Sequence, residues 1–258
     1  MKSRTAFTVF TLIVMSICSV TSYAQDDPER YQGFVVWEDV VYPSEVEAYE
    51  SAVKMQMELY AEQDFPHWIN VYSTGENIYY WGFEIDTYAD IDSLYAEFGK
   101  INENAPDKVQ AITDAFEGTH ESTKSWTCYW DRDLSYVPEA SVDSDEPQNF
   151  CFWTYVFVKQ GKMDEIQDVF KEWVALATEK NAKQPWFTYL IDMGMESPSL
   201  FWFSYDKDPA DFFGTNAKDM ELMGEEAMEL VRKQNSHTRK IEMQLGWFRE
   251  GLSYRPEE

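Results

Sequence analysis

The 258-residue sequence predicts an α+β protein: two tandem copies of one β-α-β-β-α-β unit, packed on each other within a single chain. Three observations predict it. Short motifs recur at a nearly constant offset, each half runs through strand and helix periods in the same order, and the strands carry apolar side chains on both faces.

The repeat is read from ordered pairs. DLSYVPE (133–139) returns as GLSYRPEE (251–258), so Leu-Ser-Tyr-x-Pro-Glu recurs after 118 residues. His120 matches His237 at 117, Pro66-His67-Trp68 matches Pro185-Trp186-Phe187 at 119, and Trp81 with Ala89-Asp90 matches Trp202 with Ala210-Asp211 at 121. Val46, Tyr49, Val53, Met57 and Tyr60 form a helical stripe; adding 117 gives Met163, Ile166, Phe170, Val174 and Ala177, again apolar or small. One such match is chance; the ordered set is a duplication.

In the first half, 33–42 reads as a strand and 45–62 as a helix, with Ser44 and Glu47 placed as a capping box. Strands at 67–73 and 77–85 flank a short turn with Gly75, a hairpin signature. Ile91, Leu94, Phe98 and Ile101 begin a second helical region; Val109, Ile112 and Phe116 resume it after a break at Pro106, and 125–133 is the last strand. The second half gives strand 150–158, helix 162–180 with the weaker cap pair Gly161 and Asp164, strands 185–192 and 199–206, helix 218–234 and strand 240–248. Each half is thus a ferredoxin-like unit. Domain bounds follow as 25–139 and 150–258, separated by an acidic linker, 140–149, that begins ASVDSDEPQ.

Two helices cover one face of such a sheet and leave the other bare, and a bare face alternates polar with apolar residues. These strands do not: 150–158 is apolar on both faces apart from Thr154, and 78–83 carries rings or aliphatic groups on both. The second face must be buried, and the expected solution is to press the two sheets together as an internal pseudo-dimer. On these features the chain resembles the dimeric α+β barrel superfamily in its tandem form, which includes antibiotic-biosynthesis monooxygenases, NIPSNAP-like proteins and chlorite-dismutase-like proteins. The resemblance covers nearly all of 31–258 and implies a ligand cavity between sheet and helices or inside the barrel. Some members are cofactor-free oxygenases and some bind haem; no motif here carries a family active site across residue by residue.

Composition narrows the function classes. Lys and Arg number 21 against 47 Asp and Glu, a formal charge of −26, which opposes binding to phosphate backbones and to anionic membrane. Lys2 and Arg4, an apolar run over 6–20 and Ser22-Tyr23-Ala24 read as a secretory signal over 1–24, so an exported, soluble protein, periplasmic or secreted and without a later membrane span, is expected. Cys128 and Cys151 sit in apolar strands and are expected to be free thiols, although export would permit a disulfide. Asp86, Asp90 and Asp92 lack calcium-loop spacing, and there is no GxSxG, phosphate-cradling loop or metal constellation.

Candidate ligand-binding residues are the aromatics and the polar groups set among them: Trp37, Asn70, Tyr72, Trp81, Tyr155, Tyr189 and Trp202, with His120 and His237 at the two cavity mouths. Thr154 and Thr188 are similarly surrounded, and a buried hydroxyl needs a partner. Each of these also reads as plain core, and each histidine as a helix-end residue. The leading expectation is a cavity for a small apolar or aromatic ligand, with no cofactor and no catalytic signature. An oxygenase-like or haem-associated enzyme and a partner-binding envelope module are the alternatives.

Overall fold

The computed structural model describes residues 29–138 and 148–256. The proposed signal, 1–24, and nearly all of the linker 140–149 lie outside the described residues. The first half runs β1 (Tyr31–Val41), α1 (Val46–Glu62), β2 (Asn70–Thr74), β3 (Ile78–Ile85), α2 (Ala89–Asn104), α3 (Pro106–Phe116) and β4 (His120–Tyr136). The second runs β5 (Phe150–Val158), α4 (Met163–Lys180), β6 (Trp186–Met193), β7 (Ser199–Asp206), α5 (Pro209–His237) and β8 (Thr238–Phe248), then a 3-10 turn, Glu250–Leu252. Helix 218–234 is longer than the apolar stripe implied, beginning at Pro209, where Asp208 Oδ1 accepts from Ala210 N and Asp211 N. It breaks direction at Gly224, which has φ 58°, as the first half breaks at Pro106.

The predicted capping box is absent. Glu45 occupies the N-cap of α1 without a side-chain cap, and the Ser44 hydroxyl bonds Glu45 Oε1 instead. Most of both predicted stripes is buried, Tyr49, Val53, Met57 and Tyr60 on α1 and Ile166, Phe170 and Ala177 on α4, while Val46, Met163 and Val174 are half-buried.

All eight strands pair antiparallel in one closed barrel, β1-β3-β2-β8-β5-β7-β6-β4. The two sheets meet by their edges, not by stacked faces as the sequence suggested. β2 joins β8 through Tyr72 opposite Phe248 and Thr74 opposite Gly246, and β4 joins β6 through Tyr129 opposite Leu190 and Asp131 opposite Thr188. The physical reason is that β2 and β4 are edge strands of the first half, with unpaired backbone groups that the second half's edges satisfy. Closure curls the aromatic face inward. Val36, Tyr80, Trp126, Trp153, Tyr155 and Phe201 pack inside the barrel, while Val35, Trp81 and Phe83 face the first half's helices. Each seam needs a glycine: a Cβ on Gly246 would stand 2.2 Å from Ser73 O, and one on Gly194, at φ +86°, 2.3 Å from Ser125 O.

The repeated Leu-Ser-Tyr is a reciprocal latch. Leu134 is buried in the second half's core, Ser135 Oγ donates to Asp131 O and accepts from Thr188 N, and Tyr136 Oη donates to Ala182 O at 2.8 Å. Leu252 is buried in the first half's core, Ser253 Oγ donates to Arg249 O and accepts from Val71 N, and Tyr254 Oη donates to Phe65 O at 3.0 Å. Each half therefore ends inside the other.

The pairing also corrects two equivalences. Val71 faces Trp81 as Thr188 faces Trp202, so β2 and β6 are offset by 117, Asn70 corresponds to Phe187, and Tyr72 corresponds to Tyr189. The match of Pro66 to Pro185 is coincidental, and the whole rise in offset from 117 to 121 falls in the β6–β7 turn. His120 faces Val41 as Thr238 faces Val158, so His237 stands one residue before the counterpart of His120.

Candidate functional site

The candidate ligand residues separate into three places. Trp37, Trp81 and His120 come together in the first half; Trp202 lies in the corresponding layer of the second; Asn70, Tyr72, Tyr155 and Tyr189 line the barrel interior. His237 lines none of these cavities and ends α5, where its carbonyl accepts from Lys159 N.

The first-half cavity, about 450 Å³, lies between the outer face of β1, β3 and β4 and helices α1, α2 and α3. Alternation along β1 directs Val35, Trp37 and Asp39 to this face. Phe83, Phe98, Tyr60, Ile101, Val109 and Ile112 complete walls of rings and branched chains; the Trp37 and Phe83 rings stand edge to face at 4.7 Å.

One edge of the cavity is polar and ordered. Trp81 Nε1 donates to Tyr49 Oη at 2.9 Å, Tyr49 Oη donates to Asp39 Oδ2 at 2.6 Å, and Thr123 Oγ1 donates to Asp39 Oδ1. Burial first, then the adjacent carboxylate, pushes the Tyr49 hydroxyl far above the ordinary tyrosine range, so it remains a donor. Burial likewise pushes the Tyr60 hydroxyl up to about 12. Thr119 Oγ1 donates to Phe116 O at 2.8 Å and stands 3.1 Å from His120 Nδ1. With that proton on Phe116 O, the Thr119 hydroxyl suits the tautomer that carries Nδ1–H. In that tautomer the lone pair is on Nε2, which makes this nitrogen a hydrogen-bond acceptor.

The second half has kept the cavity and lost this chemistry. By strand offset Asp39 corresponds to Val156 and Tyr49 to Ile166, both fully buried. A smaller cavity, about 240 Å³, is walled by Phe170, Trp173, Trp186 and Trp202. Gln184 lies in its floor, 5% exposed; Nε2 donates to Tyr205 O at 3.0 Å, and Oε1 is buried without a partner among the described residues. Asp219 Oδ2 accepts from Lys183 N and Gln184 N, each at 2.8 Å.

Inside the barrel only about 90 Å³ remains, opening toward a 300 Å³ mouth that shares Asn70, Tyr72, Tyr189 and Phe203 and is edged by Arg255. Desolvation raises the Tyr72, Tyr155 and Tyr189 hydroxyls well above the ordinary value. Cys128 and Cys151 are free and buried in this core; burial pushes the Cys151 thiol up to about 12 and the Cys128 thiol further, which keeps both protonated at neutral pH. Thr188 is satisfied by Leu134 O at 2.7 Å, whereas Thr154 Oγ1 is buried without a partner among the described residues. Asp90 accepts from Asp86 N and Thr87 N, so the acidic run before α2 orders a turn; among the described residues no group of three or more side chains is arranged to hold a metal ion. None of the described helices is long and apolar enough to cross a membrane.

Sequence reasoning missed Asp39, Tyr49, Thr123, Gln184 and Asp219. Asp39 left a readable signal: it is a charge on the strand face that otherwise carries Val35, Trp37 and Val41. Gln184 and Asp219 left none, because their meeting depends on how α5 crosses the start of β6.

No protein-family model matches this chain, and no curated protein sequence matches it. Solved structures do. An "anthrone oxidase-like protein" superposes with TM-score 0.58 at 11% identity, over 88% of this chain and 94% of its own. A "putative monooxygenase" from Lactobacillus acidophilus gives 0.53 at 6% identity, over 88% and 97%. Another from Fusobacterium nucleatum gives 0.52 at 10% identity, over 85% and 93%. These likenesses show the fold: a dimeric α+β barrel with both units in one polypeptide.

Proposed function

We propose that the protein binds a small aromatic molecule carrying a hydroxyl or similar donor in the first-half cavity. The observation that carries this reading is a cavity of about 450 Å³ with ring walls and a polar edge at Asp39, Thr123 and His120. That volume falls within the range of small-molecule sites, roughly 300–1,000 Å³. The rings supply apolar and stacking contact, and His120 Nε2 supplies the acceptor that orients the donor. Asp39 has a hydroxyl donor on each oxygen, so it fixes Tyr49 and Thr123 and leaves recognition to the imidazole. The leader-like residues 1–24 support export, and we place the activity outside the cytoplasm.

Tryptophan fluorescence tests the reading. Titration with one- and two-ring phenols should quench emission saturably, and Trp37→Phe should weaken binding and reduce the quench. No saturable response to any phenol would overturn it.

His120 also favours a second reading, an oxygenase-like enzyme that removes the proton of a hydroxylated aromatic substrate at Nε2. The oxidase-type names of the structural neighbours agree with this class only. Oxygen uptake with such a substrate, lost in His120→Ala, would promote it. Neither helix–sheet cavity is lined for haem: neither includes a Lys or Arg for the propionates, and each presents an aspartate.

A further inference from the structure

We infer that the second-half cavity is a separate site for a small organic cation, a protonated amine on a one-ring apolar body. Two of its polar groups present acceptor oxygens that no donor of the protein uses. Gln184 Oε1 is buried in the cavity floor without a donor, and its amide orientation is fixed because Nε2 is committed to Tyr205 O. A buried acceptor left unpaired is destabilising, so a donor brought by a ligand is favoured there. Asp219 lines the same cavity; Oδ2 takes the two backbone N–H groups, and Oδ1 has no hydrogen-bond partner among the described residues.

The walls agree with the floor. The indole N–H groups of Trp173 and Trp186 are spent on Gln234 Oε1 and Leu134 O, so these rings offer faces and not donors. An aromatic face attracts a cation. No Lys or Arg lines the cavity, and a chain of net charge −26 draws cations toward it. A carboxylate ligand would stand against the Asp219 carboxylate and the unpaired Gln184 Oε1. The 240 Å³ volume, a little over half that of the first cavity, limits the body to about one ring.

Calorimetry on the full chain with three probes of one shape tests this: 2-phenylethylamine, 2-phenylethanol and phenylacetate. The amine should bind, the alcohol at least tenfold more weakly and the carboxylate not at all. Gln184→Met should weaken the amine at least tenfold. Asp219→Asn, which retains an acceptor for the two backbone amides and removes the charge, should do the same. Val109→Trp, which fills the first cavity, should leave amine binding unchanged. Equal affinity for amine and alcohol, or no amine binding by the wild-type chain, would overturn the inference. So would undiminished amine binding in folded Asp219→Asn, even if Gln184→Met failed to fold, or loss of amine binding in Val109→Trp.

Discussion

Tyr49 is the residue on which the first-half cavity turns. It is fully buried, accepts from the Trp81 indole and donates to Asp39, and so sets both the ring wall and the polar edge. Tyr49→Phe would leave the Trp81 N–H and Asp39 Oδ2 unpaired, and should destabilise the protein by about 1–3 kcal/mol in chemical denaturation. The corresponding Ile166 needs no such partner, so Ile166→Val should cost no more than about 1.5 kcal/mol. Trp37, Trp81 and His120 were legible as site candidates because the rings sit in strands apolar on both faces and histidines number only 3. Their separation from Tyr72, Tyr155 and Tyr189 was not, since the same strands supply both faces and only the closed sheet decides which face is inside.

At the scale of elements, the two seams decide the fold. β8 approaches β2 so closely at Gly246 that any side chain would meet Ser73 O. Gly246→Ala should therefore cost about 3 kcal/mol or more in a thermal melt, while Gly75→Ala, with open space around its Cβ position, should have little effect on that measure. The order of strands and helices, the break at Pro106 and the buried stripes could be read from periodicity, which is a local property. The edge-to-edge closure, the change of repeat offset at the β6–β7 turn and the one-residue displacement of His237 could not. They depend on backbone pairing between segments far apart in sequence.

For the whole molecule, the duplicated Leu-Ser-Tyr explains why two copies persist in one chain. Each motif fills the other half's core and bridges its backbone through a serine hydroxyl, so neither half is complete alone. Cleaving an engineered protease site in the linker should leave the two fragments together through gel filtration in native buffer. Adding Leu252→Ala, which removes a side chain buried in the first half, should lower stability by about 2–5 kcal/mol. Fragments that separate as compact monomers would contradict the latch. The repeat was visible in the sequence as a motif; its reach into the opposite half was not, because sequence equivalence does not say which core a terminal residue enters.

The first-half cavity itself is tested most directly by filling it. Val109 is half-buried on α3 and lines the cavity, and Val109→Trp places a ring where the ligand would sit. Calorimetric titration of the wild-type chain and this variant with the tightest-binding phenol should give saturable binding to the first and none to the second, with the same circular dichroism and cooperative melt. Equal affinity in both, on a folded variant, would show that the phenol is held elsewhere.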